Sequence, residues 1–183
     1  MNDFIKSILR TVAAGWFRII IFFLKTRRNQ TAYVFDIDNT IADTWPSLVA
    51  EYPSERTRLL TLEVFEGMQK IIMNLQSRNI EIFYLSNRSV LSYLVTIRWL
   101  RLMGFQASVS NVMLVNAPVE KIRILEKLSA KRRIKYIDDL AYGHESGAIK
   151  LYVEVIEKLS SLRLRHFGKN VVDRINSRQK KDK

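Results

Sequence analysis

The sequence predicts a three-layer α/β domain built on a mostly parallel sheet. Four short apolar runs, rich in β-branched and aromatic residues, have the composition of strands that are buried on both faces. The runs are residues 32–35, 80–85, 112–115 and 134–137. Stretches with helical spacing separate them, as expected of βαβ crossovers. Polar residues follow three of the four runs, at the edge where parallel sheets bind ligands.

The segments between the runs predict the remaining elements in order. Residues 37–61 form an irregular stretch, with a helical piece near 48–52. Apolar spacing predicts the later helices, at 62–78, 90–103, 119–130 and 153–165. Gly104 is a suitable end for the second of these helices.

Composition limits the organisation of the chain. Its 183 residues are enough for one domain with a sizeable core, and the absence of cysteine excludes disulfides and thiolate metal sites. The net charge of +12 divides into +5 for residues 1–30, +7 for residues 158–183 and zero between them. The two basic ends are suited to an anionic surface, lipid or nucleic acid, although solvated ends would have the same composition.

The N-terminal residues 3–25 predict one helix with a broad apolar face. A spanning helix needs about 20 mostly apolar residues, and each central arginine costs about 2.5 to 3.5 kcal/mol on insertion scales. Because Lys6, Arg10 and Arg18 interrupt this helix, we expect it to lie on an anionic membrane surface, with docking on its own domain or on a partner as the alternative. The predicted division is a basic amphipathic helix at 1–30, a central domain at 31–167 that carries the motifs described next, and a basic tail at 168–183.

Four motifs in a fixed order carry the candidate chemistry. They are Asp36-Ile-Asp38-Asn-Thr40, Ser86-Asn-Arg88, Lys121, and Asp138-Asp139. Three of the motifs follow predicted strands, so a parallel sheet would bring residues about 100 positions apart into one pocket. Taken singly, each motif has an ordinary structural interpretation: a turn with solvated acids, a surface lysine, or a helix N-cap.

In this order the motifs resemble those of the haloacid dehalogenase-like (HAD) superfamily of phosphatases. The resemblance covers residues 32–157, and the short spacings between motifs imply a member without a large cap domain. The stretch 88–100, with Thr96 and Trp99, is also similar to the phosphatase half of polynucleotide kinase/phosphatases.

The resemblance implies a role for each motif. Asp36 would attack phosphorus and form an aspartyl-phosphate, and Asp38 would transfer the proton. Lys121 would supply a fixed positive charge at a helix N-terminus. The residues expected to bind the substrate phosphate are Thr40, Ser86, Asn87 and Arg88.

The same resemblance implies a Mg²⁺ site, because Mg²⁺ prefers oxygen ligands and keeps several waters. Its protein ligands would be Asp36, the backbone carbonyl of Asp38, and Asp138, with Asp139 acting through water.

The predicted function is Mg²⁺-dependent hydrolysis of a phosphomonoester. The sequence leaves the substrate open among nucleic-acid ends, nucleotides, sugar phosphates and lipid-linked phosphates, and it leaves the oligomeric state open. Two alternatives are a membrane- or partner-bound module with little turnover and a nucleic-acid-binding protein that uses its basic termini. We expect a cytoplasmic protein, peripheral at the inner face of a membrane if the N-terminal helix binds lipid.

Overall fold

The computed structural model describes residues 12, 15–17, 19–27 and 29–177. The strands are β1 (Thr31–Phe35), β2 (Ala42–Asp43), β3 (Glu63–Val64), β4 (Glu81–Ser86), β5 (Val112–Leu114), β6 (Arg133–Ile137), β7 (Ala141–Tyr142), β8 (Lys150–Leu151) and β9 (Leu164–Phe167). Five of them form one sheet in the order β5-β4-β1-β6-β9, and every neighbouring pair is parallel. The predicted α/β class with a parallel sheet is confirmed.

The helices lie on both faces of this sheet. They are α1 (Trp45–Val49), α2 (Glu55–Leu60), α3 (Glu66–Ser77), α4 (Tyr93–Leu102), α5 (Glu120–Ser129), α6 (Val153–Ser160) and α7 (Lys169–Ser177). Some described residues between 12 and 23 are also helical. After β1, the short strands β2 and β3 pair antiparallel, and α1 and α2 lie between them in the sequence. These four elements form a flap. This flap is the main insertion between β1 and α3, and no large cap domain is evident in the described part of the chain.

The alternating side chains of β1 separate two cores. Phe35 packs with residues of α3, α4 and α7, whereas Val34 packs on the other face with residues of α5 and α6. This is the period of two that a strand buried on both faces requires. Trp99 is fully buried in the first core, and its indole nitrogen donates to the Leu62 carbonyl at 3.0 Å.

The C-terminal part of the domain differs from the sequence prediction. The helix predicted for 153–165 ends at Ser160, and residues 164–167 form the edge strand β9. An edge strand tolerates polar side chains such as Arg165, which weakens the apolar signal that strands usually give. The predicted basic tail contains α7, which buries Val172 in the first core. The last part of that tail, 178–183, lies outside the described residues.

The described part of the N-terminal helix packs on the domain. Phe17 and Ile21 are buried in the second core, and the Lys131 ammonium donates to the carbonyls of Phe22 and Leu24 at 2.8 Å each. In the part of the chain that the structure describes, no helix combines the length and apolar character needed to cross a bilayer. The predicted helical residues 3–11 lie outside the described residues, and the membrane contact stays a prediction.

Candidate active site

The acidic motifs meet at the carboxyl edge of the sheet. In the register of the sheet, Phe35 of β1 lies beside Ile137 of β6. Asp36 and Asp138, the next residues, therefore lie side by side at the carboxyl ends of two neighbouring strands. The Asp36 amide donates to the Ile137 carbonyl at 2.9 Å, which continues the ladder by one bond. The parallel pairing therefore brings together two acids that are 102 positions apart in the sequence.

Lys121 connects these two acids. Its ammonium donates to Asp36 Oδ1 and to Asp138 Oδ2, at 2.7 Å in each case, and all three side chains are buried. Burial alone would lower the pKa of Lys121, but the charges of Asp138 and Asp36 raise it above its usual value. Burial and the charge of Asp138 raise the pKa of Asp36 well above that of an ordinary aspartate. One lysine thus holds two carboxylates that would otherwise repel each other.

Three carboxylates are arranged to hold a metal ion. Asp36, Asp138 and Asp139 each offer one oxygen, and these oxygens lie within 4.8 Å of one another. Burial and the charge of Asp138 raise the pKa of Asp139 to about 7. A divalent cation would relieve this crowding of negative charge, and a buried set of oxygen donors suits Mg²⁺. The residues present therefore fit the predicted metal site.

Neighbouring groups orient Asp138 in this cluster. The Tyr136 hydroxyl donates to Asp138 Oδ2, and the Leu140 amide donates to Oδ1 at 2.8 Å. Leu140 has a left-handed φ of 45°, which turns the chain sharply after the acidic pair. On the next residue, Asp139 Oδ2 lies 3.0 Å from His144 Nε2. Hydrogen bonds to a carboxylate ligand fix its orientation toward a metal.

Asp38 lies in a separate set of contacts beside this cluster. The Arg88 guanidinium makes a two-pronged ion pair with its carboxylate, at 2.7 Å for the shortest contact. The hydroxyls of Thr44 and Ser86 donate to the same carboxylate at 2.9 Å each. Burial alone would raise the pKa of Asp38, but Arg88 and the two hydroxyls lower it to about 2. Asp38 is therefore an ionised carboxylate in this arrangement.

The predicted phosphate-binding residues occupy different positions. Asn87 is exposed and lines the cavity above the acids, whereas Ser86 and Arg88 are buried and bonded to Asp38. Thr40 is fully buried, and its hydroxyl accepts from the Asp139 amide at 3.3 Å. Thr40 thus connects the first motif to the last through a hydrogen bond. The role of these four residues in binding a phosphate stays a prediction.

An open cavity of about 710 Å³ lies above the acids. Asp36, Lys121 and Asp138 lie among the residues that line it, and the flap contributes Arg56 and Arg58. The Arg58 guanidinium is paired with Glu55 at 2.6 Å and donates to Ser47 at 2.9 Å. Arg56 is exposed at the cavity lining.

The sequence analysis missed three contributors to this site. Tyr136 precedes Asp138 by two positions on a strand, so the period of two could have placed it on the same side. Thr44 is six residues beyond Asp38, and no local spacing rule connects the two. Arg56 belongs to the flap, whose position over the cavity depends on the tertiary structure alone.

The comparison with known proteins rests on structure. No protein-family model and no curated protein sequence matches the chain. Two solved structures of the class C acid phosphatase from Bacillus anthracis, one with tungstate bound, each match with a TM-score of 0.53 and 19% sequence identity. Each match covers 93% of this chain and 80% of the other. The chain therefore has the fold of the class C acid phosphatase, and its four motifs resemble those of the HAD superfamily of phosphatases.

Proposed function

We propose that the protein is a Mg²⁺-dependent phosphomonoester hydrolase that acts through an aspartyl-phosphate at Asp36. The observation that carries the proposal is the pairing of two acids with different surroundings on one loop. Asp36 lies beside Lys121 and the metal-ligand candidates, whereas Asp38, two residues later, is held by Arg88. A nucleophile and a separate proton carrier are what phosphoryl transfer through a covalent intermediate requires.

Asp36 must be ionised to attack phosphorus. Burial opposes ionisation, and Lys121 favours it from 2.7 Å. When bound, Mg²⁺ would supply further positive charge for the carboxylates and for the phosphoryl oxygens. The ligands proposed for it are Asp36, the Asp38 carbonyl and Asp138, with Asp139 through water.

Asp38 would serve in both half-reactions. In its present contacts it is ionised, which is the form that accepts a proton from water when the aspartyl-phosphate is hydrolysed. To protonate the leaving oxygen in the first step, Asp38 must first bind a proton, and this requires loosening of the Arg88 pair. An incoming phosphate would compete with Asp38 for the Arg88 guanidinium, because arginine binds phosphate and carboxylate with the same two-pronged geometry.

The proposed substrate is a phosphomonoester whose remainder projects out of the cavity. The cavity is open, and no large cap lies above it in the part of the chain that the structure describes, so a bulky leaving group can be accommodated. This description includes a nucleic-acid end, a nucleotide, a sugar phosphate and a lipid-linked phosphate. Ser86, Asn87, Arg88 and Thr40 are the groups proposed to position the phosphate, with Asn87 already exposed to the cavity.

Phosphate release from a panel of these four substrate classes, with and without Mg²⁺, tests the proposal. Asp36→Asn should abolish turnover, since an amide cannot replace the attacking carboxylate, and Asp38→Asn should reduce it severely through loss of proton transfer. Asp173→Asn is a matched control, because Asp173 is exposed on α7, where its carboxylate pairs with Lys169 at 2.8 Å. Near-normal activity of the Asp36→Asn protein would exclude this mechanism.

Phosphate release and a nucleic-acid binding titration together separate the two alternatives. A module with little turnover would release no phosphate from any substrate in the panel. A nucleic-acid-binding protein would show an affinity for DNA or RNA that falls steeply with salt and survives Asp36→Ala.

A further inference from the structure

The N-terminal helical segment carries exposed apolar side chains beside those that pack on the domain. Phe22 and Phe23 are 75% and 76% exposed, and three further apolar side chains are at least 45% exposed. We call this set the phenylalanine patch; its members are Val12, Trp16, Ile19, Phe22 and Phe23. Four of them recur at positions 12, 16, 19 and 23, the three- and four-residue spacing of one helix face.

An exposed apolar patch of this kind is usually covered by a binding partner or a membrane. Phe17 and Ile21, on the other side of the helical segment, are buried in the second core. A helix that is apolar on both sides is normally buried on both, and monomeric proteins rarely expose a large contiguous apolar patch. The described chain covers the patch only in part: the Trp16 indole nitrogen donates to the Val109 carbonyl at 3.4 Å, whereas Phe22 and Phe23 stay about three-quarters exposed.

The helical segment is held firmly where the patch ends. The Lys131 ammonium binds the carbonyls of Phe22 and Leu24, the Arg132 guanidinium binds the Lys25 carbonyl, and the Arg27 amide donates to the Lys131 carbonyl at 2.9 Å. These contacts satisfy carbonyls at the end of a helix that would otherwise lack partners. The patch is therefore presented on a fixed base and needs little ordering when it binds.

Positive charge borders the patch at its end and on the side that faces α5. Lys25 and Arg27 are exposed just after it, and Lys127 and Lys131 of the neighbouring α5 region line a hollow of about 520 Å³ with Phe22. Residues 1–30 carry six basic residues and one acidic residue. In one leaflet of an anionic bilayer, the acyl chains would contact the apolar side chains and the headgroup phosphates would contact the lysine and arginine side chains.

We propose that the phenylalanine patch binds the surface of an anionic lipid bilayer, with Phe22 and Phe23 inserted at the boundary of headgroups and acyl chains. The patch ends at the amino edge of the sheet, where Gln30 precedes β1 and its carbonyl accepts from Arg133 at the start of β6. The candidate active site lies at the opposite, carboxyl edge. A bilayer bound to the patch therefore leaves the cavity open to solvent, and the proposal holds whether or not the site is catalytic.

Sedimentation of the full chain with phosphatidylcholine vesicles, with and without phosphatidylserine, tests this proposal. The wild-type protein should sediment with the serine-containing vesicles, and its binding should fall as salt rises. The double substitution Phe22→Asp and Phe23→Asp should weaken partitioning by roughly 100-fold, as expected for two phenylalanines that no longer enter an apolar layer. The control is Leu94→Asp on α4, equally exposed at 75% but outside the patch, which should change binding by less than about twofold.

A second variant tests the charges alone. Lys25→Glu with Arg27→Glu should weaken binding to the anionic vesicles by about tenfold or more and leave the weak binding to neutral vesicles unchanged. Both side chains are exposed, so the thermal midpoint of unfolding should stay close to that of the wild type. Hydrolysis of a small soluble phosphomonoester should also be unaffected in either variant.

Three results would overturn the proposal. The first is no binding of wild-type protein to anionic vesicles at low salt. The second is unchanged vesicle binding after the two phenylalanine substitutions. The third is light scattering that shows a wild-type dimer which these substitutions convert to a monomer, with no vesicle binding, because the patch would then be an interface between two copies of the chain.

Discussion

Substitution of Lys121 by methionine tests the electrostatic basis of the site most directly. Methionine preserves most of the length and packing of the side chain but removes the ammonium that contacts Asp36 and Asp138 at 2.7 Å each. In the metal-free protein two buried carboxylates then face each other without this countercharge. Removal of one partner from a buried ion pair typically costs about 3 to 5 kcal/mol of unfolding free energy.

Proton uptake sets an upper limit on this cost. Burial and the charge of Asp138 already raise the pKa of Asp36, so without Lys121 the pair should bind a proton instead of keeping both charges. The destabilisation should therefore be smaller at pH 5 than at pH 8. For a domain of this size, about 3 to 5 kcal/mol corresponds to a fall of roughly 6 to 20 °C in the thermal midpoint.

Thermal unfolding at pH 5 and pH 8, in EDTA and in Mg²⁺, measures these effects. Lys127→Met is the matched control, because Lys127 lies on the same helix, α5, but is exposed. We expect Mg²⁺ to restore part of the lost stability of the Lys121→Met protein, since the cation supplies positive charge, but not its turnover. A thermal midpoint within about 2 °C of the wild type at pH 8 in EDTA would refute the reasoning, because the ammonium would then contribute nothing that water cannot replace.

Three further predictions concern neighbouring groups. Arg88→Gln should raise the pKa of Asp38 from about 2, so the acidic limb of the pH–rate profile should move to higher pH. Arg88→Lys should return that limb only part of the way to its wild-type position. If the limb does not move in the Arg88→Gln protein, ionisation of Asp38 does not control it. Because the pKa of Asp139 is raised to about 7, the metal-free protein should lose stability as pH rises from about 4 to 7. Asp139→Asn should flatten this pH dependence in urea unfolding, and an identical slope in both proteins would contradict the assignment. EDTA should stop hydrolysis, Mg²⁺ should restore it and Asp138→Ala should raise the Mg²⁺ requirement, whereas activity that is insensitive to EDTA would exclude the metal site.

The sequence alone determined the class of the fold and predicted which acids form the candidate site. Strands buried on both faces have a composition that is visible without coordinates, and the residue after such a strand lies at the carboxyl edge whatever the details of packing. The strand pattern therefore predicts that Asp36 and Asp138 lie together, and the pairing of β1 with β6 brings them to the same edge of the sheet. The assignment of Lys121 followed from its motif position, and the structure buries Lys121 between the two acids.

Only the tertiary structure decided which polar groups pair with each other. Arg88 and Ser86 were predicted to face a phosphate, yet both contact Asp38, because an ionised carboxylate within reach of a guanidinium is the strongest partner available to it. The edge strand β9 was not predicted, because one of its edges has no neighbouring strand and its side chains need not be apolar. Its position in the sheet is also decided by the tertiary structure.

The N-terminal helix shows the same division between sequence and structure. Its periodicity predicts apolar residues over a broad face, but periodicity does not indicate which part of that face the domain covers. The packing of Phe17 and Ile21 against the second core fixes the rotation of the helix, and this rotation leaves Phe22 and Phe23 exposed. Sequence patterns report what one element can bury, whereas the shape of the neighbouring elements determines what it does bury.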